Sequence, residues 1–263
     1  MCVVFSRYRN MKLRFLGTGT SNGVPVIGCR CNVCLSNDLR DKRLRTSALL
    51  ETEHTRILID CGPDFRQQIL PLPFRRIDGV LITHIHYDHV GGIDDLRPYS
   101  KLSDIDVFAN KTTCNGLRHT LPYCFTDKLY PGVPKLILHR IDAHRSFTIG
   151  DVEVMPVEVM HGNLPILGFK IGKMAYITDM KTINPEELAY LEGVETLVVN
   201  ALRWEKEHHS HQLVGDAVEF SRQIGAKSTY LTHLTHEIGL HGETQKRLPK
   251  NVHLAYDGLV LDV

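Results

Sequence analysis

The stretch that most constrains this chain is GVLITHIHYDHVGG, residues 79–92. An apolar β-type run, GVLIT, ends in four side chains that bind metals or move protons: His84, His86, Asp88 and His89. In an extended segment residues two apart face the same way, so the rings of His84 and His86 share a face. Asp88 and His89 come where Gly91 and Gly92 predict a turn. Four such groups in six positions can serve two cations roughly 3.5–4 Å apart, the spacing of two-metal hydrolysis. A merely His-rich loop would need neither the strand before it nor the glycine pair after it.

The rest of the chain predicts an α/β protein. Short β-type runs recur at 12–17, 46–51, 56–60, 106–110, 135–141, 152–159, 167–171, 174–178, 196–201 and 228–232. Helical patterns fall between some of them. DFRQQIL (64–70) follows Gly-Pro, NPEELAYLE (184–192) has an Asn cap with proline after it, and QLVGDAVEFSRQIG (212–225) closes on glycine. No repeat, low-complexity tract or Pro/Ser-rich linker divides the 263 residues, so one domain over 1–263 is expected. MCVVFSRYRN (1–10) reads as a dispensable extension ahead of a first strand opened by Met11.

Composition narrows the classes. With 43% hydrophobic residues and 23% charged ones, the chain has the makeup of a soluble globular protein. A formal net charge of +1 provides no field for tight binding to a nucleic-acid backbone, so nucleic acid is not an expected partner. No stretch is long and apolar enough to span a bilayer, so no membrane association is expected. The apolar run at the N-terminus is too short for a secretory signal. Seven cysteines, an odd number, point to a reducing cytoplasm.

Three of those cysteines crowd into CRCNVC, residues 29–34. A redox motif, part of a disulfide framework and a metal site are the three readings, and a tetrahedral metal site would need a fourth ligand from elsewhere. The preceding GTGTSNGVPVIG is not a dinucleotide fingerprint. Its third glycine comes one position late and Pro25 blocks the required helix, so a turn and loop are expected.

H-x-H-x-D-H at 84–89 resembles the defining motif of the metallo-β-lactamase superfamily, and further residues fit its order: His161 in VEVMHGN, Asp179 in AYITDM and His233 in YLTHLTH. The resemblance runs from about Met11 to the C-terminus. It implies an αββα sandwich, two mixed sheets flanked by helices. It also implies that His84, His86 and His161 hold one divalent metal, zinc or manganese, and Asp88, His89 and His233 another, with Asp179 between them. Asp60 in ILIDCGPD would brace the metal loop by hydrogen bonds. A carboxylate at 179, rather than a thiolate, suits phosphodiester or thioester hydrolysis.

Cys-x-Cys-x-x-Cys after a GTG loop is similar to the PhnP-like cyclic phosphodiesterase branch. There the fourth ligand is a His three residues beyond the last catalytic one, here His236. The resemblance thus implies a closed structural zinc site of Cys29, Cys31, Cys34 and His236. It also implies a catalytic His211, near the leaving-group oxygen, with Asp88 as a proton acceptor. His208 and His209 read as solvated neighbours, and Arg203 as a possible phosphate contact. The expected activity is hydrolysis of a small cyclic phosphate or nucleotide-like phosphodiester, in a possible homodimer. Two alternatives are a PqqB-like binding protein of cofactor maturation and a tRNA 3′-processing nuclease. The nuclease usually carries a basic, Gly-rich arm that this sequence lacks.

Overall fold

The computed structural model describes residues 11–126, 128 and 131–263. The expectation for residues 1–10 lies outside them. β1 (Lys12–Gly17), β2 (Ser47–Glu51), β3 (Arg56–Ile59), β4 (Gly79–Leu81), β5 (Ile105–Ala109) and β6 (Leu136–Arg140) lie in chain order in one sheet. The first three pair antiparallel, and β3 to β6 pair parallel. The second sheet holds β7 (Phe147–Ile149), β8 (Val152–His161), β9 (Leu164–Ile171), β10 (Met174–Ile177), β11 (Thr196–Asn200), β12 (Ser228–Thr232) and β13 (Val252–Leu254). Here β7 to β10 pair antiparallel and β10 to β13 parallel. β14 (Val260–Asp262) then returns to pair with β1 at the edge of the first sheet.

Strand periodicity explains the layers. Ala48, Leu50, Ile57 and Ile59 share a core between the sheets with Val154, Phe169, Tyr176 and Val198. One residue out of phase, Leu49, Leu58 and Val80 join Phe65, Leu96 and Leu117 on the outer face of the first sheet. Ala175, Leu197 and Val199 pack likewise against Val214, Ala217 and Phe220 outside the second. Each fully buried Leu, Ile or Phe contributes about 1.5–3 kcal/mol. Both faces of the central strands are buried, which is why they read as continuous apolar runs. This is the αββα sandwich.

The helices are short: α1 (Asn32–Leu35), α2 (Phe65–Ile69), α3 (Tyr87–Val90), α4 (Lys111–Thr120), α5 (Val214–Ile224) and α6 (His241–Arg247). α5 ends where Gly225 takes the left-handed conformation, φ 71°. The pattern at 184–192 forms a 3₁₀ helix (Pro185–Leu191) rather than an α-helix. Its Glu187 turns inward, where the carboxylate accepts from Glu158 N–H at 3.1 Å and lies 2.8 Å from His144 Nε2. α4 was not evident in the sequence, although Asn110 caps it by accepting from Thr113 N–H. β7, β13 and β14 are three residues each and leave little periodic signal. Among the described residues no helix is long and apolar enough to cross a membrane.

Strand polarity places the site. Asp60 follows β3, residues 84–89 follow β4, Asp179 follows β10, His233 follows β12, and His161 closes β8. The carboxyl ends of parallel strands are where α/β folds bind ligands. Gly62 is essential to the fit of these loops, because a Cβ there would lie 2.1 Å from the Asp88 carbonyl oxygen. Gly62→Ala is expected to lower the melting temperature by several degrees, a loss of about 1–3 kcal/mol from overpacking. Gly215→Ala, in open space on α5, should be neutral or slightly stabilising. Thermal denaturation of both variants checks the contrast.

Candidate metal centre

Each functional side chain is aimed by a backbone turn at a strand end. Asp60, Asp179 and His233 all adopt positive φ, 57°, 58° and 55°. Left-handed backbone at non-glycine residues costs on the order of 1–3 kcal/mol and concentrates at functional sites. Here it swings Asp179 and His233 off strand ends into one buried cluster and turns Asp60 onto the loop behind it: Asp60 is 0%, Asp179 2% and His233 2% exposed.

The cluster has two overlapping halves. His84, His86 and His161 bring ring nitrogens within 4.8 Å of one another, and so do the donor atoms of Asp88, His89 and His233. Asp179 lies between, with Oδ1 3.1 Å from His233 Nε2 and Oδ2 3.3 Å from His89 Nε2. His86 is the exposed member, and the others are buried. The structure therefore brings together all seven residues that the sequence singled out for this centre.

The far sides of three of the rings are held by acceptors. His89 Nδ1 lies 2.7 Å from Asp60 Oδ2, and His161 Nδ1 lies 2.7 Å from the Asp179 carbonyl and 2.9 Å from that of Ser210. His84 Nδ1 sits 3.0 Å from Thr83 Oγ1. The opposite nitrogens of His84 and His89, and both of His233, are buried without a hydrogen-bond partner. Leaving so many buried polar atoms unpaired is costly unless they serve as ligands. Burial pushes His84 well below its ordinary value, and the neutral imidazole is the form that binds metal. Two carboxylates with five imidazoles form a donor set that fits divalent zinc or manganese.

Asp60 does not face the cluster. Its carboxylate accepts from Thr83 N–H at 2.9 Å and from the Thr83 hydroxyl at 2.9 Å, besides its contact with His89. It joins the end of β3 to the loop after β4.

His211 borders the cluster, with Nε2 2.9 Å from Asp179 Oδ1. It also groups with His161 and Asp179 at ligand-like spacing. Unlike His84 or His89, however, it has partners at both nitrogens, since Ser210 Oγ and His208 Nδ1 lie 3.2 and 3.0 Å from its Nδ1. Burial pushes His211 down to about 4, against the pull of the Asp179 carboxylate. His208 is therefore a contact of His211 rather than a free surface residue. Arg203 is committed elsewhere: its guanidinium donates to Glu237 and to the Lys206 carbonyl.

The cysteine cluster is separate. Cys29, Cys31, Cys34 and His236 place their donor atoms within 4.8 Å of one another. The sulfurs of Cys29 and Cys31 lie 3.4 and 3.2 Å from His236 Nδ1. Cys34 N–H and then His236 pull the Cys31 thiol down to about 6, whereas burial pushes Cys34 up to about 11. Three sulfurs and one imidazole nitrogen at this spacing form a Cys₃His group, a closed donor set for zinc. The GTG loop bonds directly to the strand end between His233 and His236: Leu234 N–H donates to Thr18 O at 2.9 Å, and Thr20 N–H to Leu234 O at 3.3 Å.

Comparison with known proteins agrees with this architecture. A family model described as a beta-lactamase superfamily domain matches residues 55–234. A crystal structure described as a new diphosphatase from the PhnP family superposes with a TM-score of 0.89 and 37% identity, covering 96% of this chain and 97% of that one. Zn²⁺-bound PqqB from Methylobacterium extorquens shares the fold at a TM-score of 0.78 and 19% identity, covering 96% of this chain and all of that one. Over 250 residues the chain is 47% identical to a Porphyromonas gingivalis protein named octanoyltransferase, covering 95% of this chain but 51% of that protein. The chain thus spans about half the length of that relative.

Asp60→Ala is expected to weaken metal binding at the histidine cluster by about 10–100-fold, the usual effect of removing an outer-shell partner of a ligating histidine. Competition with a chromophoric chelator measures it. Unchanged affinity would show that Asp60 does not fix the orientation of His89.

Proposed function

We propose, from the premise that this chain belongs to the metallo-β-lactamase superfamily and to its PhnP branch, that it is a dinuclear metal-dependent hydrolase of a small phosphodiester. A cyclic phosphate or a nucleotide-like diester is the favoured substrate. The observation that carries this reading is the group of buried, unpartnered imidazole nitrogens arranged around Asp88 and Asp179. The diphosphatase at 37% identity supports chemistry at phosphorus and extends the candidates to diphosphates.

His84, His86 and His161 would hold one ion, and Asp88, His89 and His233 the other, with Asp179 between. Divalent ions in these positions supply Lewis acidity toward a phosphoryl oxygen and make a hydrolytic water reactive near neutral pH. The residues around them do the rest. Burial opposes ionisation of Asp88, but His89 and His233 outweigh it and hold the carboxyl below its usual range, so Asp88 is ionised and available as a proton acceptor. His211 stands at the margin of the cluster, where a donor offsets charge on the leaving oxygen. Cys29, Cys31, Cys34 and His236 would hold a third, structural zinc that fixes the GTG loop beside the loop of His233.

Turnover of bis(p-nitrophenyl) phosphate, cyclic nucleotides, cyclic ribose phosphates, diphosphates and short RNA tests the reading. An octanoyl thioester in the same panel tests whether the activity named for the double-length relative extends to this half. Metal-dependent turnover of none of the phosphorus compounds would overturn the proposal.

Elemental analysis of protein purified without added metal is expected to give close to three ions per chain. Substituting the catalytic ligands should leave about one zinc, and its absence would remove the structural site. His211→Ala should reduce turnover of diesters with poor leaving groups on the order of 10²–10⁴-fold, with metal content unchanged. Unaltered turnover of those diesters would remove its role as a donor.

A further inference from the structure

His211 is held from behind by a neighbour that the ligand set does not use. His208 Nδ1 lies 3.0 Å from His211 Nδ1, and Ser210 Oγ lies 3.3 and 3.2 Å from the two nitrogens. The rings meet at 59° with centroids 4.8 Å apart. Two ring nitrogens at that distance cannot both present lone pairs, nor both present protons, so one proton lies between them.

The backbone decides which ring owns it. Ser210 N–H donates to His208 Nδ1 at 3.3 Å. A ring nitrogen has one in-plane position, filled by either a proton or a lone pair. His208 Nδ1 therefore presents its lone pair, and the shared proton belongs to His211 Nδ1. The opposite face of His211 also meets an acceptor, Asp179 Oδ1 at 2.9 Å from Nε2.

The segment carrying this pair is pinned to the site. The carbonyl of Ser210 accepts from His161 Nδ1 at 2.9 Å, and Gln212 N–H donates to the Met180 carbonyl at 3.1 Å. Ser210 itself is 5% exposed. His208 thus meets His211 from a fixed backbone rather than from a mobile surface loop.

We propose that His208 is a positioning residue: it accepts a hydrogen bond from His211 Nδ1–H and so keeps His211 Nε2 turned toward the reacting phosphoryl group. This rests on the reading of the centre as that of a phosphoryl hydrolase. When Nε2 passes its proton to a leaving oxygen, the bond to that proton breaks, an O–H bond forms, and the Nδ1–H remains on the ring. The ring is left neutral in a single tautomer, ready to regain its Nε2 proton from water.

Long-range ¹H–¹⁵N spectra of the zinc-loaded, ¹⁵N-histidine-labelled chain test this without any substrate, with His211→Gln assigning the signal. His211 should show a protonated Nδ1. His208→Leu should abolish that state, and His208→Asn, whose side-chain oxygen can replace the acceptor, should retain it. An unprotonated His211 Nδ1, or one indifferent to His208→Leu, would overturn the proposal.

Kinetics supply a second readout, using aryl methyl phosphates with leaving groups of rising pKa. His208→Leu should lose on the order of 10²-fold with the poorest leaving group and little with nitrophenolate, at unchanged metal content. His208→Asn should recover the wild-type dependence, and His209→Ala at the exposed neighbour should match wild type. A loss equal across the series would count against positioning. If the wild type hydrolyses no phosphorus ester, the functional reading falls while the spectra still decide the hydrogen bond.

Discussion

The Asp60 carboxylate lies fully buried at the end of β3, where it accepts hydrogen bonds from the backbone and hydroxyl of Thr83 and meets His89 at 2.7 Å. A buried charge of this kind is tolerated only when it is fully partnered. Its partners are the residue that precedes His84 and a ring at the heart of the cluster. The loop after β4 therefore cannot relax without stranding a carboxylate in the core. That one group ties the position of His84, His86, Asp88 and His89 to the stability of the first sheet.

The second sheet contributes by the same device on the other side. Asp179 and His233 leave β10 and β12 through left-handed backbone, and His161 is held by two carbonyls, one of them from the segment that carries His211. Parallel pairing from β10 to β13 puts these strand ends at one edge. The cysteine cluster lies against that edge: the GTG loop bonds to Leu234, one residue past His233, and His236 reaches the cysteines from the same loop. Stability and chemistry share a few short loops, while the apolar layers carry most of the folding energy.

Four of the seven residues of the candidate histidine centre were legible locally. His84, His86, Asp88 and His89 lie within six residues, and a strand followed by a turn is enough to bring them together. His161, Asp179 and His233 lie 72 to 144 residues beyond His89 by numbering. They were reached only through the order of a known family, because nothing local marks a lone His or Asp after a strand as a ligand. His208 was passed over for a related reason. Its relation to His211 depends on how two rings face each other, and spacing does not specify that.

The sequence by itself determined an α/β chain of many short strands and one local cluster of metal-type side chains at 84–89. Apolar runs of strand length between helical patterns specify that class, and four such side chains within six residues specify the cluster, whereas the two-sheet sandwich was legible only through the resemblance to a known family. Tertiary structure alone decided which nitrogen of each ring faces the cluster, that the 184–192 segment winds as a 3₁₀ helix around an inward Glu187, and that Arg203 is spent on Glu237. The physical reason is range. Periodicity and residue type act over a few positions of the chain, whereas ring orientation, positive φ and ion pairing are set by groups that meet only after the two sheets have packed.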